Sequence, residues 1–291
     1  DQSYAESYMK GVHDFDAITI YENLVSVYEQ LGMLSFRPQV RVASQLFWSS
    51  VNQEDKDLLR GLITSANNVV KAFPASKNYQ YVLKQIEEMF LKWNTSFHFS
   101  KMLPERIALY LFTEFADSQA FTVSEQSKDL EKRFMAYLKK EKLKESFDKD
   151  LSNESFSQVE LFYLVRNWLQ SYIDLSDDLK KYNKYVSETS CLLLLKDHQF
   201  ELRNSPDSFE ILDLRGSHSV IVNNVYQTDY HEFIQKLIHF TTESVPTFNE
   251  FTQLKERLIL AFTKSLKLNE LKPRVLTSFV RNKLINEVNL P

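Results

Sequence analysis

The sequence predicts a mainly α-helical protein, an irregular helical bundle with a small antiparallel β meander near residues 190–225. Three observations support this fold class. Apolar residues recur at helical spacing through most of the chain. Only four of the 291 residues are glycine and seven are proline, too few for the many turns of an all-β or doubly wound fold. Short apolar runs separated by turn residues are confined to one region, which is where we expect the strands.

The first predicted helix covers residues 15–31 and ends at Gly32, because glycine readily adopts the backbone conformation of a helix C-cap. Pro38 fits the first turn of a second helix, and Asn52 fits the N-cap of a third. The pattern repeats in residues 78–93. One stripe of the first helix contains Ile18, Tyr21, Leu24, Val25 and Tyr28.

Three later helix starts are predicted from capping boxes, in which a Ser or Thr side chain and a Glu or Gln three residues later bind each other's backbone N–H. Each motif precedes an apolar helical stripe. The three pairs are Thr122 with Glu125, Ser155 with Gln158, and Thr247 with Glu250.

The region 190–225 differs from the rest of the chain, because its apolar runs are short and turn residues lie between them. The runs are 191–196, 200–203, 209–214 and 220–222. This spacing predicts an antiparallel meander of three or four strands. A charged segment rich in Ser and Asn, residues 144–156, is the best candidate for a linker. We therefore expect two domains, a helical block at 1–150 and a helical region with the β meander at 151–291.

The scarcity of glycine excludes several kinds of nucleotide and hydrolase site. No glycine precedes a lysine, so the phosphate-binding loop G-x-x-x-x-G-K-[ST] is absent, as are G-x-G-x-x-G and G-x-S-x-G. The six histidines are scattered, and His231-Glu232 lacks the second histidine that a zinc-protease helix needs. Mg²⁺ sites on paired helices usually start from a D-D-x-x-D motif, but Asp174, Asp177 and Asp178 are followed by Leu-Lys-Lys, so a solvated loop is the simpler interpretation. We expect no cofactor, no metal and no enzymatic activity.

The remaining reactive residue types are expected to be structural. Cys191 is the only cysteine, so it cannot form an internal disulfide, and its apolar neighbours predict burial in a strand. Ser217 and His218 are adjacent on a predicted turn, where neighbouring side chains usually point apart. The three tryptophans lie in helical stripes and are expected in the core. With one cysteine and no apolar run of roughly 18 residues, the sequence predicts a cytoplasmic protein without a membrane span.

Charge is distributed unevenly, although the net charge is only −4. Residues 1–35 contain six acidic residues and one lysine, whereas residues 254–283 contain eight basic and two acidic residues. A basic end of this kind can contact nucleic acid or an acidic protein surface. Aromatic residues for base stacking are few there, so a nucleic-acid site is not predicted, and a solvated helix face is the simpler interpretation.

The last twenty residues form a recognisable segment. Residues 272–291 predict an amphipathic helix that starts at Pro273, with an apolar stripe of Leu276, Val280, Leu284 and Val288. We expect it to pack as a helical hairpin on the preceding basic helix, whose own apolar stripe contains Leu254, Leu258, Phe262 and Leu266. The core Leu-Thr-Ser-Phe-Val-Arg-Asn-Lys-Leu-Ile-Asn-Glu-Val, followed by Leu290-Pro291, resembles the segment that leads into the AAA-type ATPase module of large bacterial proteins known as DNA repair ATPases. Asn289 stands where that family's pattern has an aromatic residue. In that family the phosphate-binding loop comes after this segment.

The resemblance implies that the chain is the helical region beside an ATPase module, and that it docks on this module or on partners. The basic residues Lys272, Arg274, Arg281 and Lys283 are the predicted interaction residues, with nucleic acid as another partner they can contact. Two alternatives remain open. One is a freestanding helical scaffold or adaptor, and the other is an enzyme with a helical cavity.

Overall fold

The computed structural model describes residues 9–77, 79–93, 103–118, 120–196, 198–206, 208–266 and 278–288. The chain divides into two compact units, residues 1–231 and residues 232–291. The structure is 74% helical, so the predicted mainly α-helical class is confirmed.

The described part of the first unit contains nine complete α-helices and the start of a tenth. Three termini predicted from the sequence are confirmed by their caps. Gly32 follows the first helix with φ 51° and donates its N–H to the carbonyl of Tyr28, Pro38 opens the second helix, and the Asn52 side chain accepts the N–H of Asp55. The helices are α1 (His13–Leu31), α2 (Pro38–Ser50), α3 (Gln53–Ala72), α4 (Tyr79–Trp93), α5 (Leu103–Asp117), α6 (Glu125–Lys140), α7 (Lys144–Leu151), α8 (Gln158–Ile173), α9 (Val186–Leu194) and α10 (Tyr230–His239). Two 3₁₀ segments, Gly32–Ser35 and Asp177–Tyr185, supplement them.

The predicted capping boxes need correction. Helix α6 is capped by Ser124, not Thr122, and Ser124 accepts the N–H of Ser127. The box at the start of α8 is formed by Ser157 and Glu160, two residues after the predicted pair. Thr247 lies inside a helix and donates its hydroxyl to the carbonyl of Glu243. In the first two cases a serine two residues after the predicted cap forms the cap instead. In the third case the helix already includes Thr247, so its hydroxyl bonds a carbonyl of the preceding turn.

Two large hydrophobic clusters form most of the interior of the described part of the first unit. One lies among α2, α3, α4 and α5, with Phe47, Ile86 and Leu111 at its centre. The other lies among α6, α7, α8 and α9, with Phe134 and Leu169 fully buried. The predicted linker 144–156 contains α7, whose Phe147 belongs to the second cluster. The predicted domain boundary near 150 therefore falls inside the first unit.

The small sheets differ from the predicted meander. The first apolar run is the end of α9, so Cys191 is helical and not in a strand. Strand β2 (Phe200–Arg203) pairs in parallel with β1 (Phe121–Ser124), in register from Phe121 with Phe200. Strand β3 (Phe209–Ile211) pairs antiparallel with β4 (Tyr226–Thr228). A parallel pair forms because β1, which the sequence reading assigned to a helix start, supplies the buried edge for β2.

The second unit consists of the end of α10, a π-helical turn at Phe240–Ser244, α11 (Val245–Ser265) and α12 (Ser278–Val288). Pro246 lies in the first turn of α11. Proline lacks an N–H and its ring collides with the carbonyl four residues earlier, so the helix widens locally just before it. No side chain described from residue 232 onward is buried. The described side chains of the second unit are therefore mostly at the surface.

Candidate interaction surface

The four basic residues predicted to mediate interactions are only partly described. Lys272 and Arg274 lie outside the described residues, as do Pro273 and the predicted hairpin turn. Arg281 belongs to α12, and Lys283 on the same helix is exposed. Leu284, which was expected to be buried against α11, is 46% exposed. Leu284 is the one residue of the predicted stripe whose side chain the structure describes, and it is not buried.

Helix α11 presents a large exposed apolar face. Seven large apolar side chains are each between 49% and 66% exposed, and at 100° per residue they share an arc of about 140°. We call this set the α11 apolar face, and it consists of Phe248, Phe251, Leu254, Leu258, Ile259, Phe262 and Leu266. The sequence reading found four of these residues from their spacing but expected them to be covered by the terminal helix.

A positive charge lies within this face. Lys255 is exposed, and its helical position places it between Phe251 and Ile259. Arg257 and Lys264 are also exposed and lie on the other side of α11. Lysine can lay its aliphatic stem along apolar surface while its ammonium group reaches a partner. The α11 apolar face is therefore an apolar surface that carries a cation.

Helix α1 exposes a second apolar stripe. Ile18, Tyr21, Val25 and Tyr28 follow one another at steps of three, four and three residues and are between 38% and 67% exposed. We call these four residues the α1 stripe. Glu22 and Glu29 are exposed along one edge of the stripe, within the same third of the helix circumference, so the stripe is bordered by negative charge. The sequence analysis identified the stripe but not its exposure.

The opposite face of α1 holds the helix in the first unit. Val27 and Leu31 pack with Leu34 in a small buried cluster. The buried carboxylate of Asp16 accepts the backbone N–H groups of Arg215 and Gly216, at 2.9 and 2.7 Å. These contacts fix the rotation of α1 about its own axis. The α1 stripe lies on the opposite side of the helix and therefore faces solvent.

A buried ion pair lies at the centre of the first unit, between Arg41 on α2 and Glu188 on α9. The Glu188 carboxylate also accepts the N–H of Ser124 at 3.0 Å and lies within hydrogen-bond distance of the hydroxyls of Ser124 and Ser127, at 2.8 and 2.7 Å. Burial alone would raise the pKa of Glu188, but the Arg41 charge and these hydrogen bonds outweigh it, so the pKa is lowered. No periodic signal in the sequence links these residues, which are 147 positions apart.

A second carboxylate, Glu114 on α5, is buried beside the chain entering α6. It accepts the backbone N–H and the hydroxyl of Thr122, at 3.0 and 2.8 Å. Burial nevertheless raises the pKa of Glu114. Burial also raises the pKa of Tyr110, and the nearby Glu114 carboxylate adds to this effect. Glu188 therefore connects three helices and Glu114 connects α5 to β1, and both side chains are buried.

The other reactive groups named in the sequence analysis do not converge. His231 bonds the carbonyl of Leu34 at 3.0 Å, and burial lowers its pKa. His218 and the aspartates 174, 177 and 178 are exposed, whereas Cys191 is buried. Of the tryptophans, Trp48 is buried as predicted, and the other two pack at the edges of the hydrophobic clusters.

The described residues include neither a candidate metal-binding cluster nor a candidate membrane-spanning helix. Within the described ranges, no three His, Cys, Asp or Glu side chains lie close enough together to hold a metal ion. Among the helices described, none combines the length and the apolar character needed to cross a membrane. Comparisons of the chain with protein-family models, with curated proteins and with solved structures gave no match.

Proposed function

We propose that this chain is a non-catalytic helical interaction region that binds a protein partner through the α11 apolar face. The observation that carries the proposal is the joint exposure of seven large apolar side chains on one side of one helix. Each leaves apolar surface in water, which costs free energy in proportion to its area. A protein partner that covers the face would recover that free energy.

The size of the face supports this role. Aromatic side chains bury roughly 150–250 Å² each, so these partly exposed residues together present on the order of 700 Å² of apolar surface. The largest apolar patch of a typical monomer is only about 300–600 Å² and is often functional. One side of a standard protein–protein interface buries about 800 Å². The α11 apolar face is therefore of the size that a specific partner covers.

A finer form of the proposal places the chain beside the AAA-type module of a cytoplasmic ATPase of the bacterial DNA-repair kind. Its support is the resemblance of residues 276–288 and the following Leu290-Pro291 to the segment that precedes such modules. In this form Lys272, Arg274, Arg281 and Lys283 contact the nucleotide module, or nucleic acid bound near it. The alternative is a freestanding helical scaffold, for which the exposed α11 apolar face is equally suitable.

Site-specific photo-cross-linking tests the general proposal. A photoreactive phenylalanine analogue would replace Phe251 in the α11 apolar face, and a matched control would carry it at Gln253, which is exposed on the other side of α11. We expect a cross-linked protein, identified by mass spectrometry, at position 251 and not at 253. Equal labelling at both positions, or no protein product at 251 in the source cell, would overturn the proposal.

The finer form is tested by the coding sequence after Pro291 and by nucleotide binding. A glycine-rich loop ending in Gly-Lys-Ser or Gly-Lys-Thr would support an adjoining ATPase, and a stop codon would exclude it. We expect titration of this chain with Mg-ATP to give no saturable heat, since no glycine in it precedes a lysine. Micromolar binding of Mg-ATP would contradict the non-catalytic assignment.

A further inference from the structure

We propose that the partner of the α11 apolar face is the α1 stripe of a second copy of this chain. This inference rests on the proposed function and names the occupant of the surface on which that function depends. Two properties of the surfaces support it, their exposed apolar side chains and their opposite charges. The chain exposes two apolar helical surfaces, one bordered by acidic groups and the other carrying a basic group.

The two surfaces are compatible in shape and length. The α1 stripe spans ten residue steps, about 15 Å along a helix axis, and the α11 apolar face spans eighteen, about 27 Å. The shorter stripe therefore fits within the longer face. Both surfaces present apolar side chains at steps of three and four residues, the arrangement that lets the ridges of one helix enter the grooves of another. Tyr21 and Tyr28 add hydroxyl groups that can meet polar atoms at the edge of such a contact.

The two surfaces also match in charge. Glu22 and Glu29 border the α1 stripe, and Lys255 lies within the α11 apolar face. Complementary charge guides association and selects one register over others. Two copies of α11 pressed together would instead bring like charges into one apolar contact.

The area of the contact fits a weak, reversible dimer. One contact between the α1 stripe and the α11 apolar face would bury on the order of 800 Å², counted over both partners. An interface of that size is below that of most stable complexes and within the range of weak, transient ones. A lipid surface fits less well, since Lys255 lies inside the apolar face, where a protein carboxylate can meet it and an acyl chain cannot.

Charge-reversal variants of the whole chain test the pairing of the two surfaces. Sedimentation across a range of concentrations would measure the dimer constant for wild type, Lys255→Glu, Glu22→Lys and the double variant. We expect each single reversal to weaken the dimer about tenfold and the double reversal to restore most of the loss. Lys139→Glu, an equal charge change at an exposed site on α6, is the control and should leave the constant unchanged. Absence of rescue in the double variant would overturn the pairing.

Cross-linking between differently labelled copies identifies the contacting helices. One copy would carry Tyr21→Cys and the other Leu258→Cys, and the native Cys191 is buried and does not compete. We expect a disulfide-linked product of twice the chain mass only when the two variants are mixed. A product from Leu258→Cys alone would show α11 paired with α11 and overturn the proposal. So would a link within a chain carrying both cysteines in place of the mixed product.

The outcomes separate this inference from the function on which it rests. A chain that stays monomeric at all concentrations, but cross-links from position 251 to a different protein, overturns the second-copy partner and leaves the interaction role intact. A monomer that gives no protein product at 251 overturns both. Binding to anionic phospholipid vesicles that Lys255→Glu abolishes, without any dimer, would assign the face to a lipid surface and also overturn both.

Discussion

Arg41 on α2 and Glu188 on α9 form a buried ion pair in which the Arg41 side chain is 5% exposed and that of Glu188 is 1% exposed. Arg41 also donates from Nε to the carbonyl of Phe36, at 3.2 Å. The Glu188 carboxylate reaches Ser124 and Ser127 at the start of α6. One carboxylate thus connects α2, α6 and α9 across the two hydrophobic clusters. Such a connection fixes how the helices are positioned against each other.

Removing the charge of Glu188 should strongly destabilise the protein. We expect Glu188→Gln to lower the free energy of unfolding by about 3–5 kcal/mol, because the buried Arg41 guanidinium then lacks a counter-ion. Urea unfolding followed by circular dichroism measures this change. Asp148→Asn removes a partner from an exposed ion pair with Lys144 and is the control, with a cost below about 1 kcal/mol. Equal costs for the two variants would contradict a central role for the buried pair.

The two buried glutamates predict opposite pH dependences. The pKa of Glu114 is raised in the folded protein, chiefly by burial, so its contribution to stability is present below the unfolded pKa and is lost as pH rises through the folded value. The pKa of Glu188 is lowered, so its contribution is present above the unfolded pKa and is lost as pH falls through the folded value. We therefore expect Glu114→Gln to reduce the stability lost between acid and neutral pH. Unfolding curves at several pH values test this, and an unchanged pH profile would contradict it.

The helices could be predicted from the sequence because their apolar spacing is a local property. Phe134, Leu138 and their neighbours repeat at steps of four, and the clusters bury these positions. The run from Cys191 to Leu195 could not be assigned in the same way, since a continuous apolar run is buried equally well as a strand or a helix. It is helical where it packs against Val42 and Phe162, contacts that no local pattern indicates.

The candidate surface could be predicted only in part. The spacing of Leu254, Leu258 and Phe262 identified an apolar face, but spacing does not tell whether another helix covers it. The same holds for Tyr21 and Tyr28 on α1, which share a stripe that the structure leaves exposed. Whether a helical stripe is covered depends on tertiary packing, which the local pattern does not contain.

The exposure of the terminal helix changes the loss of stability that we expect when a side chain there is shortened. Packing of α12 as a covered hairpin would make Leu284→Ala cost about 2–5 kcal/mol. Because Leu284 is 46% exposed, we expect a cost below about 1 kcal/mol in the monomeric chain. Leu169→Ala, at a fully buried position of α8, is the matched truncation and should cost about 2–5 kcal/mol. A comparable loss at both positions in chemical denaturation would show that α12 is covered in solution.

Cys191 should be unreactive until the protein unfolds. Its side chain is fully buried, its Sγ lies 4.0 Å from the carbonyl oxygen of Val42, and burial raises the pKa of the thiol, so little thiolate is present at neutral pH. We expect no reaction with a chromogenic disulfide reagent in native buffer and one equivalent in urea, with labelling in intermediate urea following the unfolded fraction. A Gln80→Cys variant, with a thiol at an exposed position of α4, should react at once in native buffer and is the control. Rapid native labelling of Cys191, with the circular dichroism spectrum unchanged, would show that the contact of α9 with α2 opens without global unfolding.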